Sequence, residues 1–288
     1  MFGYIENALV ILSRAFLCYL REIERIIMFT KNKFQYCIYN HERLELHELQ
    51  KEYQKNKAGT KLKYENQLFC PGCCKVDLVI NEKKGKIYLS SHPKSPHGDE
   101  CEYALESASK KELKEYYKKI DGDLATLLLN RILEEKVNRK KQSENANSPK
   151  DQNKISDVKF VLENKDGIRK YLPRSSLLLN ELEESAHLTM YYGECKVFIG
   201  KTDKKYYLRI FRNNDHAKYI CNLVIPERVY RYVKDELRFI PQSEDLSFKH
   251  SRDNAVPVKL AFVSIIKKKQ EYYNAFLGFS KLLKVKRI

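Results

Sequence analysis

Cys70-Pro71-Gly72-Cys73-Cys74, followed about twenty residues later by His92, His97 and Cys101, concentrates soft metal ligands in one short segment. Thiolate sulfur and imidazole nitrogen are the donors that tetrahedral zinc prefers. Pro71 and Gly72 let the backbone turn sharply, so Cys70 and Cys73 can face one point. His97 and Cys101 are separated by three residues, a spacing that suits a turn or a first helical turn, whereas His92 to Cys101 needs a loop. Spacing therefore selects Cys70, Cys73, His97 and Cys101 as ligands to a structural Zn²⁺, with His92 the alternate. Cys74 adjoins a ligand and should point away as a packed thiol. Four protein ligands leave no open position for water, so the site is structural rather than catalytic. On this reading the metal stands in for a hydrophobic core in a polar segment.

The elements that must position these ligands follow from periodicity. KFQYCIYN alternates as a strand, and ERLELHEL continues as a strand or short helix. KEYQKNKAGTKLKYEN is polar and reads as loop. KVDLVI and KIYLSS form a hairpin through NEKKG, carrying the chain from the first ligand pair to the second. Ile120, Leu124, Leu127, Leu128 and Ile132 then fall at helical spacing, with Asp121-Gly122 as an interruption. Residues 142–155 form a polar linker. The domain organisation is thus an N-terminal extension over 1–27, a zinc-finger and helical domain over 28–141, and a β-rich domain over 156–288. In the extension, Glu6 and Arg14 bracket only seven residues, far short of the roughly 20 a membrane span needs. It reads as an amphipathic docking helix over residues 4–28 or as sequence upstream of a true start at Met28.

The FCPGC knuckle, the basic hairpin and the histidine–cysteine close resemble the zinc-finger region of competence CoiA-like and mobile-element bacterial proteins, over about residues 33–105. In that family a CPxC pair is followed by H-F-x-H and a later cysteine. Leu89-Ser90-Ser91-His92 occupies the H-F-x-H place here, so the first histidine is absent and the resemblance draws in His92 as ligand. It also implies DNA processing on a mobile element and a nuclease domain downstream. Such a nuclease needs an acidic residue and an E-x-K strand around Mg²⁺. The matching letters are Asp77 with Glu82-Lys83-Lys84, inside the zinc hairpin, and Asp157 with Glu163-Asn164-Lys165, at a turn. Neither is framed to build a cleft, and the expectation is a protein that is not an enzyme.

The whole chain of 288 residues carries 54 Lys+Arg against 38 Asp+Glu, a net charge of +16, and a pI near 9.3. That excess points to a polyanionic partner. Cys18, Cys37, Cys195 and Cys221 sit in apolar runs as buried thiols, which with the metal pattern fits a reducing cytoplasm.

SDVKFVLENKDGIRKYL predicts a hairpin through Asn164–Gly167, and RSSLLLNELEESAHL a short helix. The last hundred residues give five strand signals, with a helix beginning at Pro226 between the third and fourth. That is the order of an OB-fold barrel, giving an α+β protein overall, and Gly193 supplies a bend. Its clasping loops would be Gly200–Lys205, with Lys201, Lys204 and Lys205, and Lys267-Lys268-Lys269-Gln270. If Leu208 and Ile210 fill the barrel, Tyr207, Arg209 and Phe211 form an exposed aromatic–basic face for stacking bases. Arg212, Lys281, Lys284, Lys286 and Arg287 would add phosphate contacts. The competing reading packs Tyr207 and Phe211 beneath residues 170–187. The function expected is non-catalytic binding of nucleic acid, single-stranded DNA first, with no membrane partner; the alternative is a protein–protein adaptor.

Overall fold

The computed structural model describes residues 33–83, 85–134, 159–164, 166–178, 182, 184–202, 205–213, 218–238 and 247–288. The expectations for the 1–27 extension and the 142–155 linker lie outside the described residues, as do those for Cys18, Lys84, Asp157, Lys165 and Lys204.

The first half opens with β1 (Tyr36–Tyr39) and β2 (Glu42–Glu45), paired antiparallel. Asn40 and His41 both hold positive φ, as a two-residue hairpin turn requires. ERLELHEL, read as a strand or short helix, ends β2 and begins the helix α1 (Leu46–Lys55); the polar stretch read as loop, residues 51–66, instead holds the rest of α1 and all of α2 (Lys57–Tyr64). Glu45 and Glu48 cap α1 reciprocally, and the Asn56 side chain accepts from Gly59 N–H to start α2. Each cap satisfies donors that a helix start leaves open. Buried Leu46, Leu49 and Tyr53 give α1 the apolar face that anchors it. β3 (Leu78–Lys83) and β4 (Lys86–Ser91) form the expected hairpin.

Next come α3 (Lys110–Lys119) and α4 (Gly122–Glu134). Ser109 and Glu112 form a capping box on α3, and Asp121 Oδ1 accepts from Leu124 N–H at the start of α4. β5 (Val161–Glu163) and β6 (Arg169–Tyr171) make the hairpin expected around Asn164–Gly167. The helix expected from RSSLLLNELEESAHL is absent among the described residues. Its start is instead a short strand, β7 (Arg174–Ser176), running parallel to the following strand.

The second half contains β8 (Thr189–Thr202), β9 (Lys205–Arg212), β10 (Tyr219–Ile225), α5 (Glu227–Glu236), α6 (Phe248–Asp253), β11 (Val256–Lys269), β12 (Tyr272–Phe276) and β13 (Leu283–Arg287). The molecule is therefore α+β, with a seven-stranded sheet in the order β13-β11-β12-β10-β9-β8-β7. β10 and β12 are parallel, and β8 pairs with β11 as well as β9. Gly193 lies in β8 just before pairing with β9 begins at Cys195. Its φ is +156°, and a Cβ there would meet Leu177 and Leu178.

One core lies inside the sheet, between the inward rows of β8–β12 and α5, whose Val229 and Val233 are buried. A second joins α3 and α4 to Met190 and Tyr192 of β8 and to Ala261 and Val263 of β11. The helices that the sequence groups with the cysteine region thus share a core with the sheet. The third core surrounds the cysteine cluster and includes Phe34, Leu49, Leu68, Leu78, Leu89 and Tyr103. This corrects the idea that metal replaces a core there: the ligands sit within one.

Candidate metal centre and an outward sheet face

The knuckle is built by backbone pairing. Cys70 N–H donates to Val76 O at 2.8 Å and Cys74 N–H to Cys70 O at 2.8 Å, folding residues 70–76 into a tight turn. Gly72 N–H donates to Cys70 Sγ at 3.3 Å. A Cβ on Gly72 would stand 2.9 Å from the Tyr103 ring and 3.2 Å from Cys101 Sγ, so this position needs glycine for close approach. Cys74 takes a positive φ and is exposed, not packed.

The turn and the segment after β4 bring Cys70, Cys73, His97 and Cys101 together, their donor atoms all within 4.8 Å of one another. Cys70 and Cys101 sulfurs are 3.7 Å apart. Tetrahedral zinc with bonds of about 2.3 Å sets a sulfur–sulfur edge of about 3.8 Å. Cys73 Sγ faces His97 Nδ1 at 3.7 Å. His97 Nε2 is buried and has no hydrogen-bond partner among the described residues. Three thiols and an imidazole at this separation can hold a metal ion and suit zinc. A hydrogen bond from Cys70 holds the Cys101 thiol down at about 5, and the same bond, with burial, drives Cys70 up. His92 stands outside the cluster: its Nδ1 accepts from Lys94 N–H at 3.2 Å.

Immediately after Cys101 the chain is fixed to the second half. Glu102 accepts Arg174 Nη2–H at 2.9 Å and Phe160 N–H at 2.9 Å. Arg174 also donates to Tyr103 Oη at 2.7 Å and to Tyr171 Oη at 3.1 Å. Burial alone would raise the Glu102 pKa, yet Arg174, Arg131 and the Phe160 N–H together hold it below the usual carboxylate range. Cys37 and Cys221 are buried thiols, pushed up to about 12 by burial, and Cys195 is raised likewise.

The proposed nucleic-acid residues fare differently. Leu208 and Ile210 do point into the core. Tyr207, Arg209 and Phe211 do not form an exposed face, and Phe211 belongs to the same buried cluster as Leu208 and Ile210. Phe211 is 0% and Tyr207 9% exposed. Tyr207 lies against Gly200, where no side chain occupies the space. Phe211 packs on Tyr219 and on Phe248 of α6. Arg209 donates to Ser251 Oγ at 2.7 Å and to Ser247 O at 3.3 Å, tying it to α6. The cover is α6, a helix whose short polar sequence gave no periodic signal.

The loops are also shorter than expected. Lys201 lies next to Thr202 at the end of β8 and Lys205 begins β9; both are exposed. Lys267, Lys268 and Lys269 are exposed strand residues, and the turn is Gln270–Glu271. In the tail, Lys281 donates to Ile120 O and Arg287 to Leu237 O at 3.4 Å, so these two hold the fold together. Arg212 is half-buried, Lys284 is half-buried and Lys286 exposed. Of the nuclease letters, Glu82 accepts from Tyr53 Oη at 2.9 Å, a structural contact of the hairpin with α1.

An aromatic–lysine surface does exist, two strands away in the sheet. On β12 the inward residue Ala275 is fully buried, while Tyr272 and Phe276, on the opposite face, are 43% and 50% exposed. Register places Phe276 beside Val224 and Ile265, Asn274 beside Asn222 and Lys267, and Tyr272 beside Lys269. The Tyr272 ring lies 5.7 Å from Tyr219 and 6.0 Å from Phe248, and Phe248 is itself 40% exposed. EYYNAF carries this signal in its sequence, since strand alternation alone puts Tyr272, Asn274 and Phe276 on one side.

No helix among the described residues is long and apolar enough to cross a membrane. No family model, curated protein or solved structure matches this chain.

Proposed function

We propose that this protein binds single-stranded nucleic acid on the outward face of β10, β12 and β11, with a structural Zn²⁺ at Cys70, Cys73, His97 and Cys101. The observation that carries the reading is the pair of exposed rings on β12, Tyr272 and Phe276, beside the lysines of β11. Each base stacked on such a ring contributes about 1–3 kcal/mol without demanding sequence. The net charge of +16 supplies long-range attraction to phosphates. The sheet is read as an OB-like barrel. In support, the pairing order runs β8-β9-β10-β12-β11, β11 returns to β8, β10 is parallel to β12, and α5 falls between the third and fourth strands. Such barrels bind oligonucleotides on one strand face. The zinc resembles that of CoiA-like proteins in organising a module, and a role in DNA processing on a mobile element rests on that resemblance.

Fluorescence anisotropy of a labelled single-stranded oligonucleotide at two salt concentrations tests the reading. Two phosphate contacts by Lys267 and Lys269, which share the face with Tyr272 and Asn274, would give a log–log salt slope of about −1.4. Tyr272→Ala with Phe276→Ala should weaken binding at least about 5-fold for each lost stack, with the fold retained. Binding that is absent at low salt, or unchanged in the double variant, rejects this face and favours a protein partner on the same exposed rings.

A further inference from the structure

Between the zinc-bearing half and the sheet lies a cleft of about 240 Å³ that none of the foregoing uses. Its walls come from β2 and α1 on one side and from α4, β8, β9 and β11 on the other. Junctions of this kind are where small-ligand sites tend to form. Four cationic side chains line it: Arg43, Lys51, Arg212 and Lys259. Two are already neutralised, Arg43 by Glu45 at 2.7 Å and Lys259 by Glu194 at 3.8 Å. The third carboxylate of the lining, Glu48, accepts the Glu45 backbone N–H at 3.3 Å in the α1 cap. Lys51 from α1 brings further positive charge, and Arg212 from β9, already engaged in an interaction within the fold, also lines it. Arg212 is half-buried, and burial works against its charge.

A second, independent feature marks the same cleft. Tyr192, which lines it, is only 3% exposed. Its hydroxyl is buried with no hydrogen-bond partner among the described residues. A buried donor without a partner costs free energy, and a ligand oxygen would remove that cost. Arg43 is held firmly above the aromatic floor, 3.7 Å from the Tyr36 ring centroid and 5.4 Å from that of Tyr192. A compact oxyanion entering here would accept from the tyrosine hydroxyl and from cations presented by α1 and β9, while Leu178 and Leu133 provide apolar wall for whatever carries it.

We propose that this cleft binds a phosphate group, carried either by a mononucleotide or by the end of a nucleic-acid strand. The proposal stands on the cleft alone and is independent of the sheet-face reading. The test is isothermal titration of the full-length, metal-loaded chain with inorganic phosphate, with 5′-AMP, and with a short oligonucleotide bearing either a 5′-phosphate or a 5′-hydroxyl. Inorganic phosphate at about 10 mM should raise the melting temperature. A mononucleotide site binds 5′-AMP and ignores strand-end phosphorylation. A strand-end site prefers the 5′-phosphorylated oligonucleotide about 10-fold over its hydroxyl form. In either case Tyr192→Phe should weaken phosphate-ligand binding about 10-fold, because it removes one hydrogen bond to a charged group. The same change should leave the ligand-free melting temperature unchanged or raised, since it deletes a polar atom that has no internal partner. Arg212→Gln should weaken binding as well. No effect of phosphate or 5′-AMP together with equal binding of the two oligonucleotides overturns the proposal. So does a Tyr192→Phe protein that melts several degrees lower or binds the phosphate ligands as tightly as the parent.

Discussion

Glu102→Gln should be among the most damaging single-atom-class changes in the chain. Glu102 is 4% exposed and its partner Arg174 5%, so neither charge can turn to solvent. Glutamine keeps the volume and can still accept from Phe160 N–H, which isolates the loss of charge from loss of packing. What remains is a buried guanidinium hydrogen-bonded to the hydroxyls of Tyr103 and Tyr171 and stacked 4.0 Å from the Phe160 ring centroid, with no carboxylate. Removing one partner of a buried ion pair costs about 3–5 kcal/mol, a large share of the 5–15 kcal/mol that typically holds a protein folded. For a chain of this length that is a fall in Tm of about 5–8 °C. Scanning calorimetry of the metal-loaded protein measures it. Glu102→Gln with Arg174→Met should recover part of the loss, since the fully buried guanidinium is removed along with its carboxylate. The pH dependence has a definite sign. The folded Glu102 pKa is depressed, so its contribution is fully present above the unfolded value of about 4.3. It disappears as pH falls through the folded value, and the gap between parent and Glu102→Gln should close in acid. A Tm within about 2 °C of the parent at neutral pH, which is under 1 kcal/mol, or a double variant whose losses simply add, would refute this account of the pair.

The remaining expectations concern the metal and the sheet. His97→Ala should lower bound zinc, measured by mass spectrometry of the native protein or by Co²⁺ absorption, while His92→Ala should keep it; the reverse result would return His92 to the ligand set. Gly200→Ala should destabilise by about 1–3 kcal/mol in chemical denaturation, because the new methyl group enters the space held by the Tyr207 ring. An unchanged midpoint would mean that Tyr207 is free to move aside.

What the sequence disclosed depended on how local each signal was. The metal cluster was legible because its ligands lie in two short motifs whose spacing limits the geometry. The five strands and α5 followed from alternation and from Pro226. The Asp121-Gly122 break was visible as well, since Asp121 caps the next helix through its own side chain. The errors arise where tertiary contacts decide. Residues 46–64 are polar overall, and their helices rest on a few buried residues and on caps made by Glu45, Glu48 and Asn56. Arg174–Ser176 is strand because β8 offers it an edge. Strand parity placed Leu208 and Ile210 in the core, but it also expected Phe211 outside, where it in fact joins the same buried cluster; parity does not say what lies above a face. Here α6 covers β9 and meets β12 only at Tyr272, leaving Phe276 half-exposed, and only the folded chain reveals that. The cleft between the halves joins residues as far apart as Arg43 and Lys259 and has no local signature.

The attachment of the loop after Cys101 also bears on how the chain is made. Glu102 and Arg174 are 72 residues apart, and synthesis proceeds at about 5–20 residues per second. For about 4–14 s on the ribosome the cysteine–histidine module therefore exists without the cation that its buried carboxylate requires. All four residues of the candidate metal cluster precede Glu102, so an ion bound there could hold the segment in shape until Arg174 arrives. If the cluster takes up zinc, a supply of the ion matters most while the chain is being made, before Arg174 has joined Glu102.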